Sequence, residues 1–185
     1  MRKLMVAIVI VLLLIECKTL DKLTQFNMGY ETSVTIPGIE NSFIPEGTEI
    51  PDVSVSGEFP DIATNLSDFL EENNTSPDLI EKVTLTDAVF TITLPEDKDF
   101  SSIRSLDIYL KADGLDDVLV AWADSIPDDV GNELILETSD ADLQDYLLKD
   151  TMAFKVETVI HKMVTSDYEI ELNSNFLVDA KILGI

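Results

Sequence analysis

Two stretches of the chain alternate between apolar and polar residues, and this alternation restricts the possible folds more than any other feature. Even-numbered positions from Phe26 to Ile36 carry mainly large apolar residues, while odd-numbered positions carry polar residues or Gly. The same pattern recurs in a longer form from Tyr168 to Ile182. A period of two places successive side chains on opposite faces of a β-strand, so each stretch predicts a strand with one buried face. We expect the even positions, Phe176 among them, to lie in the core.

Shorter stretches rich in β-branched and apolar residues predict further strands. They cover residues 83–94, 106–110, 118–123, 133–137 and 152–160. In the first of them the apolar positions change from odd to even near Asp87 and Ala88, which predicts a β-bulge. The second and third predict a hairpin, and the last is predicted to pair with the strand that begins at Tyr168 as a long terminal hairpin.

The remaining segments predict turns and two short helices. Residues 38–60 are rich in Pro and Gly, which predicts turns with at most a short edge strand at 50–55. Pro60 and Asp61 suit the first turn of a helix, so they predict that a helix begins there. Its apolar face would carry Ile62, Leu66, Phe69 and Leu70. A second helix, with Leu143, Tyr146 and Leu147 on its apolar face, is predicted to follow a capping box formed by Ser139 and Asp142.

About seven short strands and only two brief helices predict an all-β fold, specifically a mainly antiparallel, immunoglobulin-like or related β-sandwich. A parallel α/β sheet is disfavoured, because strands in such sheets are usually apolar on both faces. Hydrophobic residues make up 45% of the chain, which is too many for a disordered segment despite the high charge. The length predicts one domain, over residues 24–185.

The N-terminus has the layout of a bacterial secretory signal. Arg2 and Lys3 precede an uninterrupted apolar run from Leu4 to Ile15, and Cys17 follows. The run is shorter than the roughly 20 apolar residues that a spanning helix needs. Leu14-Ile15-Glu16-Cys17 resembles the lipobox of bacterial lipoproteins, although Glu16 stands where that family has a small residue. The alternatives are a signal cleaved elsewhere and an uncleaved hydrophobic segment that happens to precede a cysteine.

The resemblance implies that residues 1–16 are a signal peptide, that Cys17 is lipidated, and that residues 17–23 are a spacer. Cys17 is the only cysteine in the sequence, so it has no partner within the chain for a disulfide in an oxidising compartment. The acidic chain behind this signal is similar to uncharacterised envelope lipoproteins of Bacteroidota. The expected location is therefore the cell envelope, anchored by lipid to a bacterial membrane, with the outer membrane favoured and either its periplasmic or its surface face possible.

Charge and composition exclude some functions. A formal net charge of −24 excludes nucleic acid as a partner. The single histidine, His161, is expected to be an exposed strand residue without a nucleophile beside it, so the sequence offers no catalytic candidate. Carboxylate pairs are too numerous in such an acidic chain for spacing to select one, and a carboxylate-based hydrolase is therefore only an alternative.

Two groups of residues are candidates for ligand binding. Asp113, Asp116 and Asp117 form an acidic turn that could hold calcium, although the spacing does not match a calcium-binding loop and no cofactor is required. Tyr109 and Trp122 could stack on sugar rings, but Trp122 is expected to pack in the core. The sequence thus predicts a non-catalytic binding or structural module with an unidentified protein or glycan partner, and a glycan-binding or adhesin-type surface protein is the first alternative.

Overall fold

In the computed structural model, which describes residues 24–39 and 43–181, ten strands form two antiparallel sheets. The strands are β1 (Gln25–Ile36), β2 (Glu49–Glu58), β3 (Ile62–Ala63), β4 (Ile80–Leu94), β5 (Ile103–Lys111), β6 (Val118–Ala123), β7 (Glu133–Ile135), β8 (Glu137–Thr138), β9 (Thr151–Lys162) and β10 (Tyr168–Ala180). The helices are α1 (Leu66–Glu72) and α2 (Gln144–Leu147), with a 3₁₀ helix at Pro77–Leu79. No helix among the described residues is long and apolar enough to span a membrane.

The two sheets pack face to face and enclose the hydrophobic core. The four-stranded sheet has the order β1-β10-β4-β7, and the six-stranded sheet has the order β2-β9-β5-β6-β8 with β3 also paired to β9. Phe154 of β9 and Phe176 of β10, both almost fully buried, stack across the interior with ring centroids 6.5 Å apart. This arrangement confirms the predicted all-β antiparallel sandwich and the burial of the even face of β10.

The predicted terminal hairpin is wrong, because β9 and β10 belong to different sheets. Strand β10 lies between β1 and β4, whereas β9 lies between β2 and β5. Residues 163–167 carry the chain from one sheet to the other. The alternating pattern identified the buried face of each strand, but two strands with buried faces can either pair side by side or pack face to face. Here they pack face to face.

The predicted start of the first helix at Pro60 is also wrong. The amide of Phe59 donates to the carbonyl of Phe154 at 2.8 Å, and Ile62 pairs with Met152, so the chain stays extended along β9. The helix begins only at Leu66, after Thr64 has bonded to the carbonyl of Asp150 at 3.0 Å. Pairing with β9 therefore overrides the local helix signal.

Three smaller expectations had different outcomes. Strand β2 is longer than the predicted edge strand at 50–55, because it pairs with β9 from Lys155 to Lys162. The bulge in β4 is confirmed close to the predicted place, since the register shifts between the pairs of Leu85 and Asp87. The predicted capping box is wrong. The amide of Ser139 donates to the carbonyl of Val120, and the carboxylate of Asp142 accepts hydrogen bonds from the amides of Gln144 in α2 and Val83 in β4.

A candidate binding site between two edge strands

Both sheets end on the same side of the sandwich, in β1 and β2, and a cavity of about 400 Å³ lies between these two strands. Within the described part of the chain, β1 pairs only with β10, and β2 pairs only with β9. The opening between β1 and β2 is called the seam below. The cavity behind it is lined mainly by aliphatic side chains, among them Val34, Ile36, Val55, Val156, Ile160 and Ile170.

Inward-facing residues of β2 are uncovered at the seam. Val53 pairs with Ile160, which is buried, and directly opposed residues of paired strands point to the same face of a sheet. Val53 and Val55 therefore face the interior, yet their exposed fractions are 42% and 39%. Across the seam, Ile36 of β1 pairs with the buried Tyr168 and is 40% exposed. The interior of the sandwich is open to solvent here.

On the opposite side, the chain itself closes the sandwich. Strand β7 belongs to the four-stranded sheet and β8 to the six-stranded sheet, with Leu136 as the only residue between them. Leu134 and Leu136 are buried, and the amide of Leu136 donates to the carbonyl of Ala88 at 3.0 Å. The seam is therefore a feature of one side of the molecule.

Aromatic contacts limit the length of the seam at one end. The hydroxyl of Tyr30 donates to the carbonyl of Thr64 at 2.6 Å, which joins the middle of β1 to the segment after β3. Phe26 meets Phe69 of α1 edge to face at 6.3 Å. Because these contacts cover the first half of β1, the opening is confined to its second half.

A polar network fixes the other end of the seam. Glu46, in the connection from β1 to β2, accepts hydrogen bonds from Lys98 at 2.6 Å, from Thr165 at 2.8 Å and from Ser166 at 2.7 Å. These bonds, chiefly those from Lys98 and Ser166, hold the pKa of Glu46 at about 2. The network ties the connection to the loops at 95–100 and 163–167.

Close packing in the same connection requires a glycine. A Cβ atom at Gly38 would lie 2.3 Å from the carbonyl oxygen of Thr165, which no side chain could tolerate. The amide of Gly38 also donates to Asp167 at 2.9 Å. The end of β1 is thereby held against the crossing between the sheets.

The predicted aromatic candidates lie on the outer face of the six-stranded sheet. Trp122 pairs with Asp107, whose neighbours Leu106 and Ile108 point into the core, so the expectation that Trp122 packs in the core is wrong. Tyr109 is on the same outer face, two residues further along β5. Both rings are half-buried, and Lys155 lies 5.3 Å from the centroid of the Tyr109 ring.

Carboxylates surround these rings. Asp107 lies directly opposite Glu157 in the pairing of β5 with β9. Partial burial, together with the nearby charges of Asp124 and Glu157, raises the pKa of Asp107. Aromatic rings beside hydrogen-bonding carboxylates are a combination that suits sugar binding.

The predicted calcium candidates occupy the turn between β5 and β6. Asp113 and Asp117 line a second cavity, of about 330 Å³, but Asp117 is paired with Lys155 at 3.3 Å. The backbone carbonyl of Asp116 accepts a hydrogen bond from Tyr146 at 2.5 Å. Among the described residues, no group of three or more acidic, histidine or cysteine side chains is placed to hold a metal ion. The expectation that no cofactor is required stays a prediction, with calcium at this turn as its alternative.

His161 is buried, so its predicted exposure is wrong. Its exposed fraction is 9%, because the turn that carries Asp128 and the chain at Ser102 both lie against the end of β9. Nε2 lies 3.4 Å from Oδ1 of Asp128, which also pairs with Lys162 at 3.1 Å. Nδ1 has no hydrogen-bond partner in the described part of the chain.

Cys17, the predicted lipidation site, lies outside the described residues.

Searches against known proteins give no family for the chain. No family model and no curated protein matches it. Among solved structures, the decameric BFDV capsid protein is 12% identical, with a TM-score of 0.36 over 83% of this chain and 98% of that one. The Triatoma virus structure is 12% identical with a TM-score of 0.33, covering 86% of this chain and 65% of that one. The Desmodium yellow mottle tymovirus structure is 10% identical with a TM-score of 0.23, covering 87% and 91%.

Proposed function

We propose that this protein is a lipid-anchored protein of the bacterial cell envelope, and that its β-sandwich binds a partner at the seam without catalysis. One observation carries the proposal: Val53 and Val55 face the interior of the sandwich but are exposed beside an aliphatic cavity. Uncovered apolar surface next to a cavity costs free energy that a bound partner would recover, at about 25 cal/mol for each Å² buried.

The size and chemistry of the cavity support binding rather than catalysis. About 400 Å³ falls within the range of roughly 300–1,000 Å³ that ligand pockets occupy. The described residues around it include the hydroxyls of Ser102, Thr158 and Tyr168 and one carboxylate, Glu58, but no histidine or cysteine. A hydrolase would need converging acid and base groups, and a single carboxylate among aliphatic residues does not supply them.

The sequence supports the anchor. Cys17 stands two residues after the end of the apolar run at Ile15, and β1 begins at Gln25. In the sequence, residues 18–24 separate the proposed lipid from the first residue of β1. A lipid at Cys17 would hold the start of β1 near the membrane, with the opening of the seam at the other end of this strand.

An uncharged fluorescent probe such as Nile red tests binding at the seam. Gly57 pairs with Val156 and so faces the cavity, and an added Cβ there would meet no atom within 4 Å. Gly57→Leu should fill the cavity, keep the domain folded and weaken probe binding. Gly131→Leu is the matched control, because Gly131 is equally open but lies away from the cavity. Equal probe binding by both variants would refute a binding site at the seam.

Membrane fractionation and intact-mass analysis test the anchor separately. Cys17→Ser should move the protein from the membrane fraction to the soluble fraction, and the wild-type protein should carry the mass of its acyl chains. More than one acyl chain is expected, since a single chain binds a membrane only marginally. A Cys17→Ser protein that stays with membranes, or a wild type without acyl mass, would contradict lipidation.

Glycan binding on the outer face is the second candidate, because Tyr109 and Trp122 share that face with Asp107 and Glu157. Trp122→Ala should abolish retention on immobilised polysaccharides while leaving Nile red binding at the seam unchanged. Retention that does not depend on Trp122, or no retention of the wild type, would exclude this surface.

A further inference from the structure

We infer that the partner at the seam is an extended segment of another polypeptide, which pairs with β1 and becomes the fifth strand of the four-stranded sheet. The inference rests on the proposed binding at the seam and names the class of partner. It is carried by two independent features: the unprotected edge of β1 and the cavity that an added strand would fill.

Strand β1 is a long and regular edge. All 12 of its residues pair with β10 without a shift of register, so its backbone is straight enough to serve as a template. Its outward residues include Gln25, Asn27, Glu31, Ser33 and Thr35, and Glu31 is the only charged residue in the strand. Edge strands in soluble proteins are normally protected by charge, proline, bulges or short length. The second half of β1, beyond the contacts of Phe26 and Tyr30, has none of these protections apart from Glu31.

The other three edges of the sandwich are protected. Strand β2 contains Pro51 and an irregular register between Glu49 and Val53, and Asp52 on this strand binds Arg104 at 3.0 Å. Strand β7 has three residues and β8 has two. The lack of protection is thus specific to β1, the strand that borders the cavity.

A strand added to β1 would account for both features at once. It would lie about 4.8 Å from β1 and about 10 Å from the six-stranded sheet, and therefore opposite β2. Its inward side chains would enter the cavity and cover Val53 and Val55, while its backbone would bond to the free edge of β1. A simple aliphatic chain would fill the cavity but would leave the backbone groups of β1 unpaired, so the strand is favoured.

Charge selects the chemistry of the added segment. Residues facing the cavity must be apolar at every second position. Asp52 and Glu58 on β2 already pair with Arg104 and Lys111, so it is the net charge of −24, with Glu49 at the start of β2, that favours cationic residues at the ends of the segment. A second copy of this chain is disfavoured as the donor, since each copy carries a net charge of −24. The partner is therefore a different protein with an alternating apolar segment flanked by Lys or Arg.

A synthetic peptide tests the inference on the full chain carrying Cys17→Ser. The peptide has Val at every second position, Thr between them and Lys at both ends. We expect it to displace Nile red and to slow hydrogen exchange of the amides in the second half of β1. The same peptide with methylated backbone nitrogens along one edge should bind about tenfold more weakly or worse, because its side chains are unchanged but it can no longer pair as a strand.

Charge placed on the edge of β1 provides the matched variants. Ser33→Lys puts a cation on an outward position of β1 that does not line the cavity, and it should reduce peptide binding by about tenfold while leaving Nile red binding intact. Ser54→Lys, on the outward face of β2, is the control and should leave both peptide binding and Nile red binding unchanged.

The outcomes separate this inference from the proposed function. Nile red binding that depends on Gly57, combined with equal affinity for the plain and the methylated peptide, would overturn strand pairing and leave an apolar site at the seam. If phospholipid vesicles displace the probe and the peptide does not, the occupant is an acyl chain, and strand pairing with β1 is overturned in this case too. Dimers that form in wild type but not in Ser33→Lys would replace the foreign segment with a second copy of the chain.

Discussion

The ring of Phe154 in β9 stacks on the ring of Phe176 in β10 at 6.5 Å, although the two strands are consecutive in sequence and belong to opposite sheets. The contact shows how the sandwich is organised. Each strand buries its alternating apolar face against the other strand instead of pairing with its edge. Residues 163–167, which join them, pass across the end of the interior next to the seam.

Truncation of Phe176 should destabilise the domain strongly. The side chain is fully buried between Phe154 and Tyr30, so Phe176→Ala should lower the free energy of unfolding by about 3–5 kcal/mol. Glu171→Ala, on the outer face of the same strand, should change it by no more than about 0.5 kcal/mol. Urea unfolding of the two variants measures the contrast, and similar losses in both would contradict the assigned core face.

The strand partners can be tested with engineered disulfides. Ser33 of β1 lies directly opposite Glu171 of β10, and opposed residues in an antiparallel pair are close enough for a disulfide. In a Cys17→Ser background, Ser33→Cys with Glu171→Cys should therefore oxidise to a bridge. Glu157→Cys combined with Asn173→Cys, which a terminal hairpin would place opposite each other, should not, because those residues lie on the outer faces of different sheets. A bridge in the second pair alone would restore the terminal hairpin.

The hydrophobic pattern predicted more of the fold than of the site. Alternation in β1 and β10 correctly gave two strands and the buried face of each, because burial of a face depends on local period. The partner of each strand depends instead on where a connection leads. A five-residue link such as 163–167 fits a hairpin, but Thr165 and Ser166 bond to Glu46 and direct the chain to the other sheet.

The seam could not be predicted from the pattern for the same reason. Val53 and Val55 alternate with polar residues within a Pro- and Gly-rich segment, so a signal for a strand with an apolar face was present. Whether that face meets another strand or solvent is decided by the order of strands in the opposite sheet. The sheet that would cover these valines ends at β1, and no local property of residues 49–58 encodes that fact.

The network around Glu46 should make stability depend on acid pH. The folded pKa of Glu46, about 2, lies below the ordinary value of 4.5, so folding favours the ionised form. Its contribution is therefore fully present above pH 4.5 and is lost as the pH falls through that value towards about 2. Urea unfolding across this range should show a shallower loss for Glu46→Gln than for wild type. Lys98→Met, which removes the main partner, should flatten the profile in the same way, whereas a wild-type slope in both variants would contradict the network.

Removal of the charge on Asp107 should stabilise the protein. Asp107 faces Glu157 directly across the pairing of β5 with β9, and like charges in opposed positions destabilise a sheet by about 0.2–1 kcal/mol. Burial first, and then the charges of Asp124 and Glu157, raise the pKa of Asp107, so its ionised form opposes folding at neutral pH. Asp107→Asn should therefore raise the free energy of unfolding at neutral pH, and added sodium chloride should stabilise the variant less than wild type because less repulsion remains to be screened. If Asp107→Asn instead destabilises the protein at all salt concentrations, the carboxylate makes a favourable contact on the outer face that outweighs its repulsion from Glu157.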